Sequence, residues 1–306
     1  MSHSQTGVVA ENRHFAVFLV MQVNSQDRGS EIARFCASVP ELALKIQGAD
    51  TSALLTCSVG FGAQFWDSIS PNARPAQLRP LRAIGAGARK APGTGGDLFF
   101  HICSERSDLN FECAKNIVNA LGGKVRVLEE VSAFAYRDSR DLTGFIDGTQ
   151  NPKGDERAEA ALIGSEDPGF AGGSYALTQR YVHNLKSWAT LSDAEQEKVI
   201  GRTKADSEEL PPELKPENSH ISRAELREGE VEYKIVRQSL PYGTASGESG
   251  LYFVAYAKDP TIFERQLARM MGSTGDGVHD RLMEFSEAVS GAFFFIPSLN
   301  TLRSLL

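Results

Sequence analysis

The chain is poor in several features that would place it in a special class. No apolar run approaches the roughly 18 residues of a membrane span. The longest, residues 15–21, has the length and composition of a buried strand. The opening MSHSQTGVVAENRH lacks a basic stretch followed by an apolar one, so it does not read as a secretory leader. Cysteine is scarce: Cys36, Cys57, Cys103 and Cys113 show no CxxC spacing and sit in apolar stretches. That pattern argues against a disulfide frame and for a reducing, cytoplasmic compartment. Six histidines without a cysteine cluster argue against a structural zinc site. Basic residues are outnumbered, 32 Lys and Arg against 39 Asp and Glu. A net charge of −7 supplies no footprint for nucleic acid or an anionic membrane.

What is present is a regular alternation of elements. Apolar and period-2 runs predict strands at about 14–23, 54–61, 97–104 and 124–138, with amphipathic helices at about 27–46 and 108–121. Asp108 is a candidate N-cap and Gly122-Gly123 a candidate helix stop. The order β-α-β-β-α-β predicts an α+β, ferredoxin-like half with an antiparallel sheet and helices on one face.

The order recurs. HFAVFLVMQV (14–23) finds an echo in GSYALTQRYV (173–182), LLTCSVGFG (54–62) in IVRQSLPYG (235–243), and DLFFHICSERSDLNFECAKNIVNALGG (97–123), a strand leading into a helix, in GLYFVAYAKDPTIFERQLARMMGS (250–273). Three weak matches in one order predict an internal duplication, with halves at residues 1–139 and 140–306. The second half carries an insertion at about 184–230, where the Ser192/Glu195 capping box starts a helix at 193. Beyond Lys204 the insertion is too polar to form a core, so something must hold it against the protein.

Three stretches carry residues suited to chemistry. In RDLTGFIDGTQNP (140–152), Gly144 and Gly148 bracket Asp147; an Asx turn explains this spacing, but an acid after Phe145-Ile146 also suits a pocket wall. Arg237, in an apolar strand, reads either as half of an ion pair or as a donor where negative charge develops; alternation puts Ser239 on its face. His220, in ENSHISR, is either solvated or a metal ligand, and a ligand needs an acceptor for its other ring nitrogen. Asp276 and Asp280 are the acids offered by GDGVHDRLMEF (275–285).

Taken together, GFIDGTQNP, IGRTK, ENSHISR, KIVRQSLPYG and FFFIPS, in this order, closely resemble the dye-decolourising peroxidases, particularly their bacterial B-type branch. The resemblance runs from the first strand to Ser298. It implies one haem b per chain, bound between the second half and its insertion. His220 is then similar to the proximal iron ligand, with Asp280 as its hydrogen-bonding acid and Asp276 a weaker substitute. Asp147 and Arg237 resemble the pair on the distal side, and Ser239 falls where some relatives carry Asn. Arg202 is placed at a haem propionate, and Thr149, Gln150 and Asn151 at the haem edge.

The implied activity is reduction of hydrogen peroxide through a high-valent ferryl state, with oxidation of dyes or phenols as one-electron donors. Asp147 would shuttle the peroxide proton while Arg237 holds the peroxide. The alternative is a haem-binding protein for storage, transfer or iron removal, with incidental turnover. A cofactor-free ferredoxin-like binding module is a further rival. Bulky organic reductants cannot enter a peroxide-sized pocket, so surface aromatics would relay electrons; Trp188, Tyr181 and Tyr242 are candidates by residue type. Open sheet edges predict a homo-oligomer. Some relatives are packed in encapsulin shells through a C-terminal tail; with only eight residues after Ser298, encapsulin is not expected as a partner.

Overall fold

The computed structural model describes residues 3–25, 29–87 and 89–306. Strands β1 (Phe15–Val23), β2 (Thr56–Phe61), β3 (Leu98–Ser104) and β4 (Val125–Phe134) form the first half, in the order β4-β1-β3-β2 and antiparallel throughout. Helices α1 (Gly29–Gln47) and α2 (Ser107–Leu121) cover one face. The predicted start of α1 at 27 and 28 lies outside the described residues. In β1, Val17, Leu19 and Met21 face the helices while Ala16, Phe18 and Val20 face away from them. Both faces are buried, which is why the run reads as continuously apolar rather than alternating.

The second half repeats this plan with β5 (Ser174–His183), β6 (Val236–Arg237), β7 (Leu240–Gly243), β8 (Ser249–Ala257), β9 (Ser286–Ala288) and β10 (Ala292–Ile296). β10, β5, β8 and β7 lie in the same relative order as β4, β1, β3 and β2. The three sequence echoes fall on strands of equal rank, so the ferredoxin-like duplication is real.

The two sheets also join edge to edge. Tyr242 of β7 pairs with Ala133 of β4, and Phe295 of β10 with Phe61 of β2. Eight strands close into a barrel whose interior holds Phe18, Phe99, Tyr252, Tyr256 and Phe294. The open edges behind the expectation of self-association are therefore used up within one chain.

Local predictions differ at two points. Helix α2 has Arg106, not Asp108, at its N-cap; Asp108 lies in the first turn, paired with the Arg106 guanidinium at 2.6 Å. β4 ends at Phe134 because Arg137, Asp138 and Ser139 all take positive φ, turning the chain into the 140–152 segment. The insertion carries α3 (Asp193–Ile200), opened by the predicted capping box, and α4 (His220–Ala224). α5 (Thr261–Met270) packs behind β8. No helix among the described residues is long and apolar enough to cross a membrane.

Candidate active site

On the outer face of the second sheet, between β5, β8 and α5 and the insertion folded over them, lies a cavity of about 1470 Å³, part of it open to solvent. Apolar side chains such as Leu177, Phe253 and Phe263 form much of its wall, with a few charged groups among them, the make-up of a ligand pocket. Asp147, Thr149, Gln150, Arg202, His220 and Arg237 all reach this wall from four separate stretches of chain.

His220 is the first residue of α4, and its Nδ1 lies 2.6 Å from Oδ2 of the fully buried Asp280. The second Asp280 oxygen accepts the Leu282 N–H at 2.9 Å. A carboxylate only accepts, so the imidazole proton belongs on Nδ1. Nε2 then faces the cavity with no partner among the described residues. Burial pushes this imidazole toward neutrality, but the charge and hydrogen bond of Asp280 outweigh it and the net displacement is upward. Asp276 does not compete: it pairs with Arg223 at 2.9 Å and ties the 274–278 loop to α4. A ring fixed by a buried carboxylate and bare at its other nitrogen is what a metal-ligating histidine requires.

The same cavity holds an ion pair. Asp147 Oδ1 lies 3.2 Å from Arg237 Nη1 and also accepts the Gly148 N–H at 2.7 Å. Oδ2 is left free of protein donors among the described residues. Gly144 (φ 92°) and Gly148 (φ 79°) take left-handed conformations that shape this loop, and a side chain at Gly144 would meet the Lys204 methylene at 3.0 Å. Arg140 staples the loop to the insertion, donating to the carbonyls of Gly144 (2.7 Å), Lys204 (2.6 Å) and Ala205 (2.8 Å). That staple answers what holds the polar segment after Lys204 in place. Arg202 gives Nη1 to the Ser207 carbonyl at 2.6 Å, and its Nη2 lies 3.9 Å from the Glu209 carboxylate.

Two expectations need correction. Asn151 does not line the cavity; its amide is spent on the Arg237 backbone, donating to the carbonyl at 2.6 Å and accepting the N–H at 2.8 Å. Ser239 keeps the face of Arg237, since the pairing with β8 runs in one register from Arg237–Ala255 through the Gln238–Val254 hydrogen bond to Leu240–Tyr252; its buried hydroxyl accepts the Val254 N–H at 3.3 Å. Trp188, Tyr181 and Tyr242 are not surface aromatics: their exposures are 4%, 6% and 7%. Trp188 packs on Phe145 and Phe285, and Tyr242 lies in a barrel seam.

The structure also adds a group that spacing did not suggest. Asp141 Oδ1 lies 3.2 Å from His183 Nε2, and His183 Nδ1 lies 2.8 Å from Ser286 Oγ, all three on the cavity wall. Burial alone would raise the Asp141 carboxyl, yet the His183 charge and the hydrogen bonds from His183 and Thr143 bring it down to about 2. Asp141 lies in the same motif as Asp147, and its place two residues before Thr143-Gly144 was the available signal.

Comparison with known proteins gives a consistent result. Sequence models of the Dyp-type peroxidase N-terminal and C-terminal domains match residues 5–135 and 138–301. A dye-decolorizing peroxidase of Mycobacterium tuberculosis is 39% identical over 289 residues, covering 94% of this chain and 86% of that protein. A DypB variant from Rhodococcus jostii, solved in complex with haem, superposes with a TM-score of 0.92 at 39% identity and full coverage of both chains. The encapsulated DyP-type peroxidase of Mycobacterium smegmatis superposes with a TM-score of 0.94 at 38% identity, over 99% of this chain and 98% of that one. This last likeness overturns the expectation that encapsulin is an unlikely partner, since a body of the same fold and nearly the same extent is found encapsulated. The chain belongs to the Dyp-type, dye-decolourising peroxidase family.

Proposed function

We propose that the chain is a haem-dependent peroxidase that reduces hydrogen peroxide and oxidises dyes or phenols, with His220 as the iron ligand. The observation that carries the reading is the His220–Asp280 pair at 2.6 Å, opening on a cavity that also holds the Asp147–Arg237 pair. The donor set fits haem: one bare imidazole nitrogen, apolar walls for a porphyrin, and in Arg202 a guanidinium suited to a propionate. Bound haem supplies the two-electron redox chemistry with peroxide.

The protein's part is geometry and protons. Asp280 fixes the His220 ring and keeps Nδ1–H from other partners. Asp147 takes a proton from one peroxide oxygen at its unengaged Oδ2 and returns it to the other, while Oδ1 stays held by Gly148 and Arg237. The Arg237 guanidinium keeps its protons, so it positions the peroxide and stabilises charge on the departing oxygen. Thr149 and Gln150 border the cofactor edge; Asn151 serves by holding Arg237 in place. Mere haem carriage has no use for a carboxylate–guanidinium pair in the cavity.

The same proposal takes residues 1–139 and 140–306 as the two halves and places the protein in the cytoplasm. Four buried free cysteines suit a reducing compartment. A homo-oligomer belongs to the same proposal, and light scattering tests it. The deciding experiment is an absorbance spectrum after hemin reconstitution followed by steady-state peroxide turnover with a phenolic donor. A Soret band and turnover are expected; a colourless protein overturns the reading, and a coloured one without turnover favours haem handling.

A further inference from the structure

Inside the barrel four rings stack in sequence: Tyr256, His101, Phe18 and Tyr252. Their centroids are 6.1, 4.9 and 4.1 Å apart, with interplanar angles of 22°, 21° and 10°. All four are buried, and the Tyr256 phenol lies 2.8 Å from His101 Nδ1. Of the two groups, a neutral imidazole is the better proton acceptor, so the phenol donates. Burial holds the His101 imidazole down to about 3, so it is neutral near pH 7 and its Nδ1 is open as an acceptor; it takes the proton only when loss of an electron turns the phenol into a far stronger acid. Burial raises the Tyr256 phenol, so this proton does not leave on its own.

Strand register places the pair beside the active site. On β8, Ala255 lies opposite Arg237 and Tyr256 opposite Val236. Phe253, on the same strand, lines the cavity. One sheet therefore separates the phenol from the cavity wall. At the other end of the stack, Tyr252 has Glu129 beside its phenol, and Glu129 pairs with the partly exposed Arg180 at 2.9 Å.

We propose that Tyr256 and His101 form a buried redox couple that supplies electrons, one at a time, to the peroxide-oxidised haem site. The inference rests on the haem peroxidase reading above. In each event the Tyr256 O–H bond breaks, its proton goes to His101 Nδ1, and its electron reduces the cofactor by one equivalent. The phenoxyl is refilled by one electron from an external phenol or dye, conducted through Phe18 and Tyr252, and the proton returns from His101. Such a path serves donors too bulky for the cavity.

The test is rapid-freeze electron paramagnetic resonance of the haem-loaded protein mixed with one equivalent of peroxide and no reductant. The wild type should give a tyrosyl signal. Tyr256→Phe, with its Soret band retained, should lose that signal. His101→Phe, which keeps an aromatic ring in the stack but removes the proton acceptor, should sharply reduce its yield. An unchanged signal in either variant overturns the couple while leaving the peroxidase reading intact. A wild type that takes up no haem, or takes it up and does not react with peroxide, removes that reading and the couple with it.

Discussion

The side-chain amide of Asn151 grips the backbone of Arg237 from both sides, its Nδ2 donating to the carbonyl at 2.6 Å and its Oδ1 accepting the N–H at 2.8 Å. The loop bearing Asp147 is thereby locked to the strand bearing Arg237, and the 3.2 Å ion pair between them follows from that lock.

Asn151→Ala should lose about 1–3 kcal/mol of stability, two hydrogen bonds at about 0.5–1.5 kcal/mol each. It should also slow the reaction with peroxide by about ten- to a hundredfold through misplacement of Arg237. Urea midpoints and stopped-flow absorbance measure the two effects. Lost stability with an unchanged rate would leave Asn151 as scaffold only.

Asp147→Ala should slow formation of the first oxidised species by about 10²–10⁴-fold if the carboxylate moves the peroxide proton. Arg237→Leu should weaken the same step by removing charge stabilisation. Should the Asp147 variant match the wild type in stopped flow, the step passes to Arg237 and water.

Asp280→Asn should weaken haem retention by about 10–100-fold, since the ring loses its charged anchor. It should also raise the reduction potential, because a less basic imidazole favours the ferrous state. Transfer of haem to apomyoglobin and spectroelectrochemistry read the two. His220→Ala should purify without haem or with altered coordination.

Acid stability should depend on His101. Its folded-state value near 3 lies below the ordinary 6.5, so between these limits the unfolded chain binds a proton that the folded chain refuses. Stability is therefore full above pH 6.5 and declines as pH falls toward 3, by at most about 5 kcal/mol for one fully buried imidazole. The ring is enclosed by Phe18, Ser58, Phe99 and the Tyr256 phenol, none of them charged at these pH values. Urea midpoints from pH 7 to pH 4, above the range in which Asp141 titrates, should fall for the wild type and less steeply for His101→Phe.

Much of this is legible in the order of the residues alone. The period of the apolar runs and their repetition identified the strands, the duplication and the insertion, because those patterns follow from which faces must be buried. His220, Asp147 and Arg237 stood out because charged or coordinating groups in such settings need a reason. What stayed hidden depends on closeness between distant segments. Nothing in a linear order says that Asn151 reaches the backbone 86 residues away, or that His183 meets Asp141 and Ser286. Alternation served for Arg237 and Ser239, which share a face because one register runs from Val236 to Gly243, but it does not say that the Ser239 hydroxyl is taken up by the Val254 N–H.

The seams at Tyr242–Ala133 and Phe295–Phe61 bear on how such a chain could have arisen. A lone half would leave an oily inner wall and two bare margins to water, so a forebear of single length would have needed a twin to shelter them. Fusing the twins made that sheltering permanent. Within the joined chain, one half keeps two helices clad against its outer wall, while the other leaves space there between α5 and the insertion.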